Sequence, residues 1–263
     1  MELIEKQDSI SNRFSLWNGN DNLNGYTFVE NRNAPFTSLK SALPMANIAL
    51  ISSAGAYIDG TEPFDTTSRD GDATFREIPI EVEAEDLKFA ARGYDAKYIN
   101  EDINCQIPVQ RLLEYENNGV IGKLNNVWWT MNGFIPNVGL VADELAPKIV
   151  ERMARYNINA ALLVPSSRLC HQTLAIVARA IEMSGIPTMM LSVDKDLAES
   201  IRPPRAAYYK GEFGCVVGKP SWKQFQLRVL DESLRWIETF DQPTAKRLTV
   251  LLETEVEQER GEK

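Results

Sequence analysis

The sequence has one histidine and three cysteines in 263 residues, and these scarcities narrow the chemistry. A tetrahedral metal site draws its ligands from clustered Cys and His. With His171 alone and Cys105, Cys170 and Cys215 far apart in sequence, no such set is expected. The same sparse, odd cysteine count carries no disulfide-framework spacing and fits a reducing cytoplasm. Long hydrophobic runs are also missing. None approaches the roughly 20 residues that a membrane-spanning helix requires. The N-terminal MELIEKQDSISNRF lacks a basic region followed by an apolar one, so no secretory signal is expected. Nor is there a cluster of Lys and Arg interleaved with aromatics. The formal net charge of −9 argues against a general nucleic-acid binder, whose affinity comes from neutralising phosphates.

What remains is the composition of a soluble globular protein, 44% apolar and 25% charged. Residues 1–40 are irregular and rich in Asn, and read as a short helix and an extended arm laid over a core. Residues 41–240 form an α/β domain, divisible into halves 41–139 and 140–240, and 241–263 form an acidic tail.

ANIALISSAGAY (46–57) reads as a buried parallel strand entering a small-residue turn. The turn-rich IDGTEPFDTTSRDGDATF (58–75) is long for a connector, and such loops commonly carry function. FREIPIEV and DAKYIN read as strands, PVQRLLEYENNGVIG as a helix ending near Gly119, and KLNNVWWTMNGF as a strand or hairpin. From about residue 140 helices and strands alternate: ADELAPKIVERMARYN, NAALLVPSS, RLCHQTLAIVARAIEMSG, IPTMMLSV and PPRAAYYK. Leu174, Val177, Ala178 and Ile181 share one helical face. This alternation predicts a three-layer α/β fold, with a mainly parallel sheet and helices on both faces. The last long helix, SWKQFQLRVLDESLRWIETF, carries an apolar stripe at Leu227, Leu230, Leu234 and Ile237. That stripe and the five tryptophans suit a homo-oligomeric interface or core packing equally.

Ligands of open α/β sheets sit beyond the carboxyl ends of the strands, which draws attention to LVPSSRLCHQT (163–173). With Ser167 as N-cap, Cys170 falls in the first helical turn, where unpaired N–H groups and the helix dipole favour a thiolate. Arg168 adds positive charge nearby. Cys170 is therefore either a reactive thiol or a small buried apolar residue. His171 cannot pair with it, because adjacent helical residues point about 100° apart. His171 contacts a ligand or bonds a neighbouring loop. Asp65 and Asp72 supply acid–base groups or simply cap turns, and Arg76 beside them is suited to grip a substrate carboxylate. Ser53, in the turn after the first strand, parallels Ser166 and Ser167. Cys105 and Cys215 have no partner at motif spacing and read as structural.

Five segments in order strengthen one reading: ANIALISSAGAYI; EPFD with GDATFREIP; GYDAKYINEDINCQIPVQRLLEYENNGVIGKL; LVPSSRLCHQTLAIVARAIEMSGIPTMMLS; and PPRAAYYKGEFGCVVGKP. Together they resemble the selenoprotein B family of glycine, sarcosine and betaine reductases and D-proline reductase. The likeness covers roughly residues 35–240 and is closest to short, standalone D-proline-reductase-like members. It implies a cytoplasmic, thiol-dependent reductive cleavage of a carbon–nitrogen bond in a small amino acid or amine. It also implies a partner subunit or thiol reductant. Those enzymes use a U-x-x-C or C-x-x-C pair, in which the first residue attacks carbon and the second resolves the adduct. Carried over, Cys170 is the resolving thiol and Ser167 stands at the nucleophile position. A serine cannot form the disulfide-like intermediate. The alternative is a non-catalytic relative that binds a small molecule or a partner. The pyruvoyl group of the resembled systems belongs to a separate subunit, so no cofactor is expected on this chain.

Overall fold

The computed structural model describes residues 2–5 and 14–250. Most of the acidic tail, including 253–262, therefore lies outside the described residues. The central element is a mainly parallel eight-stranded sheet. Its strands are β1 (Asn47–Ser52), β3 (Arg76–Pro79), β5 (Lys123–Leu124), β6 (Val127–Thr130), β7 (Ala160–Val164), β8 (Thr188–Ser192), β9 (Arg205–Tyr208) and β10 (Thr244–Arg247). The order is β10-β9-β8-β7-β1-β6-β3, with β5 also pairing with β1. Only β3, at the edge, runs antiparallel. A separate two-stranded ribbon joins β2 (Ala56–Ile58) to β4 (Leu87–Phe89). One sheet thus spans both proposed halves of the domain, and β10 extends it past residue 240.

The helices are α1 (Lys97–Glu101), α2 (Val109–Asn117), α3 (Val138–Leu140), α4 (Ala146–Met153), α5 (Arg168–Met183), α6 (Lys195–Ile201) and α7 (Lys223–Thr239). A π-helical turn at Val141–Leu145 joins α3 to α4. Strand alternation explains why helices cover both faces. Ile48 and Leu50 of β1, with Leu162 and Val164 of β7, face a core shared with Leu112 of α2 and with Val229, Leu234 and Ile237 of α7. Ala49, Ile51, Ala161 and Leu163 face the opposite core, with Ile149 of α4, Val177 and Ile181 of α5 and Leu197 of α6. Because both faces are covered, these strands read as continuous apolar runs. Most of the α7 stripe is therefore core, with Leu227 only half-buried at its margin.

DAKYIN is a correction. Its Tyr and Ile suggest a strand, yet Lys97–Glu101 form a single helical turn. The Asp95 carboxylate accepts the Lys97 N–H at 2.9 Å in the turn that enters the helix, and such a local bond outweighs weak β propensity. KLNNVWWTMNGF is not a hairpin either, because β5 and β6 both lie parallel to β1.

The arm packs over the sheet as expected, and no helix occurs among its described residues. Trp17, Leu23 and Tyr26 form a small core with Phe134 and Leu169. Arg179, fully buried, donates to the carbonyls of Glu2, Leu3 and Asn33. The Glu182 carboxylate accepts the Thr37 amide at 2.6 Å and pairs with Arg205, both members being fully covered. The chain leaves β1 toward β6, on one side, and leaves β7 toward β8, on the other. The C-terminal ends of these neighbouring strands therefore diverge, which is the topology that opens a site in such sheets.

Candidate functional site

At that divergence the two Ser-rich turns meet. Ser52 pairs with Val164 in register, so Ser53 and Ser166 emerge side by side, their Oγ atoms 3.2 Å apart. The Ser166 amide donates to Ser53 Oγ at 3.0 Å, and the Ser166 hydroxyl faces the Ser53 carbonyl at 2.9 Å. Ser167 is the N-cap of α5, its Oγ accepting the Cys170 N–H at 3.3 Å.

The Cys170 sulfur sits inside this frame. The Ser167 hydroxyl donates to it at 3.0 Å, and the Ser166 hydroxyl lies 3.3 Å away. Its own S–H is directed at the Ser53 carbonyl, 3.8 Å distant. Two hydroxyls and a helix N-terminus thus converge on one sulfur. Cys170 has no accessible surface and Ser167 only 1%. The cover comes from two glycine positions. A Cβ on Gly133 would lie 2.5 Å from Ser53 Cβ and 3.0 Å from the Cys170 sulfur. Gly93, at φ +75°, leaves room for Phe134 and lies against Ser167 Oγ. The segment through Gly93 is fastened by Tyr94, whose hydroxyl donates to Ala54 O at 2.7 Å. It is fastened also by Arg92, which donates to Ser68 O at 2.6 Å and stacks 4.4 Å over Phe134.

His171 points away from the sulfur, as adjacency predicts. Its Nδ1–H donates to Ser167 O at 2.7 Å, and Nε2 accepts from the Val193 N–H at 3.4 Å. Only the neutral ring satisfies both partners, and burial lowers its pKa to about 4. Both nitrogens are thus occupied by backbone, with the ring edge against Phe213. Arg168 is directed to Asp194 at 3.6 Å and to the Phe28 ring.

The structure gathers Ser53, Ser167 and Cys170, but holds Arg76, Asp65 and Asp72 in their own loop. The Asp72 carboxylate accepts the Asp65 N–H at 2.9 Å and also bonds Thr74. The Asp65 carboxylate accepts from Thr67 and Ser68, bonds led by Thr67 that hold it below the usual carboxylate range. Arg76 bonds Thr74 and Phe75 and stacks over Phe64 at 4.4 Å. This loop abuts the corner's surroundings: the Asn137 N–H donates to Asp70 O, and Gly71 lies against Ile135. Sequence reasoning missed Gly93, Tyr94 and Gly133, and noted Ser166 only as part of a Ser-rich turn. Glycine after a strand, as in WWTMNG, is a signal that could have found one of them. Among the described residues no cluster of three or more His, Cys, Asp or Glu is arranged to hold a metal ion.

The family model for glycine/sarcosine/betaine reductase selenoprotein B matches residues 25–166, more than half of the chain. The chain belongs to that family. The match closes one residue before Ser167. The D-proline reductase subunit gamma of Acetoanaerobium sticklandii is 28% identical over 200 residues, covering 76% of this chain and 81% of that one. The glycine reductase complex component B subunit gamma of Symbiobacterium thermophilum is 31% identical over 150 residues, 56% of this chain but 34% of its own length. The sarcosine reductase complex component B subunit beta of Peptoclostridium acidaminophilum is 26% identical over 111 residues, 42% of this chain and 25% of its own. These selenoprotein B relatives are components of amino-acid reductase complexes, and no solved structure matches. Among the described residues no helix is long and apolar enough to cross a membrane.

Proposed function

We propose that the chain is a subunit of an amino-acid reductase complex in which Cys170 is the redox thiol. The observation that carries this reading is the sulfur at the start of α5, between the Ser167 and Ser166 hydroxyls at 3.0 and 3.3 Å. Its site lies beyond the C-terminal ends of β1 and β7, where the sheet order diverges. The names of the relatives support the substrate class, a small amino acid or amine.

The chemistry is a thiol-dependent cleavage of a carbon–nitrogen bond. The Cys170 sulfur forms a bond to the substrate carbon, the carbon–nitrogen bond breaks, and the amine leaves with a proton. A second thiol then attacks the sulfur, the sulfur–carbon bond breaks, and the carbon takes up a proton. One disulfide remains, to be reduced by an external dithiol. Ser167 cannot supply the second thiol, because oxygen forms no disulfide; that group comes from a partner subunit or a small thiol reductant. Ser167 and Ser53 hold the sulfur, and His171 braces the N-cap carbonyl. Arg76 binds the substrate carboxylate, and Asp65 and Asp72 hold the shape of the adjoining loop through their bonds to Thr67, Ser68 and Thr74. Free thiols at Cys105, Cys170 and Cys215 suit the cytoplasm.

A second reading is a non-catalytic, complex-forming member. The serine at position 167 and the complete covering of Cys170 favour it. Iodoacetamide labelling of the native protein, with the fully buried Cys105 as internal control, separates the two. The redox reading expects Cys170 to label at least tenfold faster than Cys105, as the segment through Gly93 opens. Labelling of Cys170 only after unfolding would sink it and leave the complex-forming reading.

A further inference from the structure

Cys105 and Cys215, 110 residues apart in sequence, meet in the fold. The Val217 N–H donates to Cys105 O at 2.9 Å, and Cys105 Sγ donates to the carbonyl of Gly214, the residue before Cys215, at 3.5 Å. The Gln106 side-chain oxygen accepts the Val216 N–H at 3.3 Å. The strip around Cys105 therefore runs alongside the loop carrying Cys215. Tyr209 is raised above its ordinary pKa by burial and by both cysteines beside it, so the two thiols share one environment. Both are buried, Cys215 at 1% and Cys105 at 0% exposure, but only Cys215 borders a groove. Cys215 lies in the wall of a groove of about 370 Å³ formed with Tyr209, Lys210, Glu212, Lys219 and Trp222. Trp222 stacks on Phe225 at 4.4 Å as the groove's aromatic side. Cys105 lies behind it with no accessible surface.

We propose that Cys105 and Cys215 are a second redox couple, which exchanges with a small-molecule disulfide entering the groove beside Cys215. The Cys215 sulfur, having lost its proton, attacks one sulfur of the incoming disulfide, whose other half leaves as a thiolate and is protonated. The Cys105 sulfur, losing its proton in turn, attacks Cys215 and releases the second half. Two protein thiols and one small disulfide become one protein disulfide and two small thiols, with two electrons passed outward. The order follows from the surroundings. Burial, then the Glu212 carboxylate, push the Cys215 thiol up to about 11. Burial, with Cys215 beside it, pushes Cys105 higher still, so Cys215 supplies the first thiolate. The Cys170 corner is a neighbour, with the Gly214 N–H donating to Ser166 O at 2.9 Å, but the exchange uses no contact with the Cys170 sulfur, so it can fail while the reading of Cys170 stands, and the reverse.

The test is oxidised glutathione with the full native chain at mildly alkaline pH, then thiol blocking and peptide mass spectrometry without reduction. A linked Cys105–Cys215 peptide pair, with Cys170 unlinked, is expected. Cys105→Ser stops at a glutathione adduct on Cys215, and Cys215→Ser yields no adduct at Cys105. The wild-type result decides the matter if either variant fails to fold. Both thiols remaining reduced in the native wild type, while the same oxidant links them in the urea-unfolded chain, overturns the proposal. So does a Cys105 adduct formed in folded Cys215→Ser.

Discussion

Acid should destabilise this protein through one imidazole. His171 is the only histidine in the chain, and its ring is held neutral between Ser167 O and the Val193 N–H. Burial lowers its pKa from 6.5 to about 4. Between those values the unfolded chain binds the proton and the folded one does not, so stability rises with pH across that window. The contribution is fully present above pH 6.5 and is lost as pH falls to about 4. At roughly 1.4 kcal/mol per pH unit, it amounts to about 3 kcal/mol. Carboxylates titrate nearby, so the measurement is a difference. Urea unfolding followed by tryptophan fluorescence is run at pH 7, 5.5 and 4 on the wild type and on His171→Asn. Asparagine can keep a donor toward Ser167 O but has no titrating ring. The wild-type advantage at pH 7 should shrink by about 3 kcal/mol at pH 4. A gap between the two proteins that does not change with pH would refute the assignment of a buried neutral ring.

Gly133→Ala places a methyl group 2.5 Å from Ser53 Cβ and 3.0 Å from the Cys170 sulfur. It should cost about 1–3 kcal/mol in urea unfolding and shift the Cys170 labelling rate several-fold; unchanged stability and labelling would show that the packing is looser than described. Glu182→Gln leaves Arg205 charged and without its carboxylate in the interior. A loss of about 3–5 kcal/mol is expected, whereas the double change to Leu and Met should recover much of it; equal losses in both variants would refute the argument. Ser167→Ala removes the N-cap of α5 and should cost about 1 kcal/mol. Ser167→Cys instead creates a C-x-x-C pair. Mild oxidation of that variant should then give a reducible link between position 167 and Cys170, and its absence would show that position 167 is not directed at the sulfur.

The layered sheet was legible because its strands and helices declare themselves locally. NAALLVPSS and IPTMMLSV are apolar throughout, as strands buried on both faces must be, and α5 repeats its apolar residues at helical spacing. Short elements were not legible. Lys97–Glu101 is a helix entered through a turn that the Asp95 carboxylate holds, and Thr244–Arg247 is a strand because β9 has an open edge beside it. Local propensity is weak in both, so the neighbours decide.

The candidate site divides in the same way. Ser167 as N-cap and Cys170 in the first helical turn follow from a few contiguous residues, since capping is a matter of local hydrogen bonding. So does the impossibility of a Cys170–His171 pair, because side-chain direction along a helix is set by its pitch. Only tertiary structure could bring Ser53 to Ser166, lay Gly133 and Gly93 over the sulfur, and set Cys105 against the loop of Cys215. Those contacts join residues 37 to more than 100 positions apart. They depend on strand order and register, which arise from the packing of the whole sheet and leave no periodic trace in the sequence.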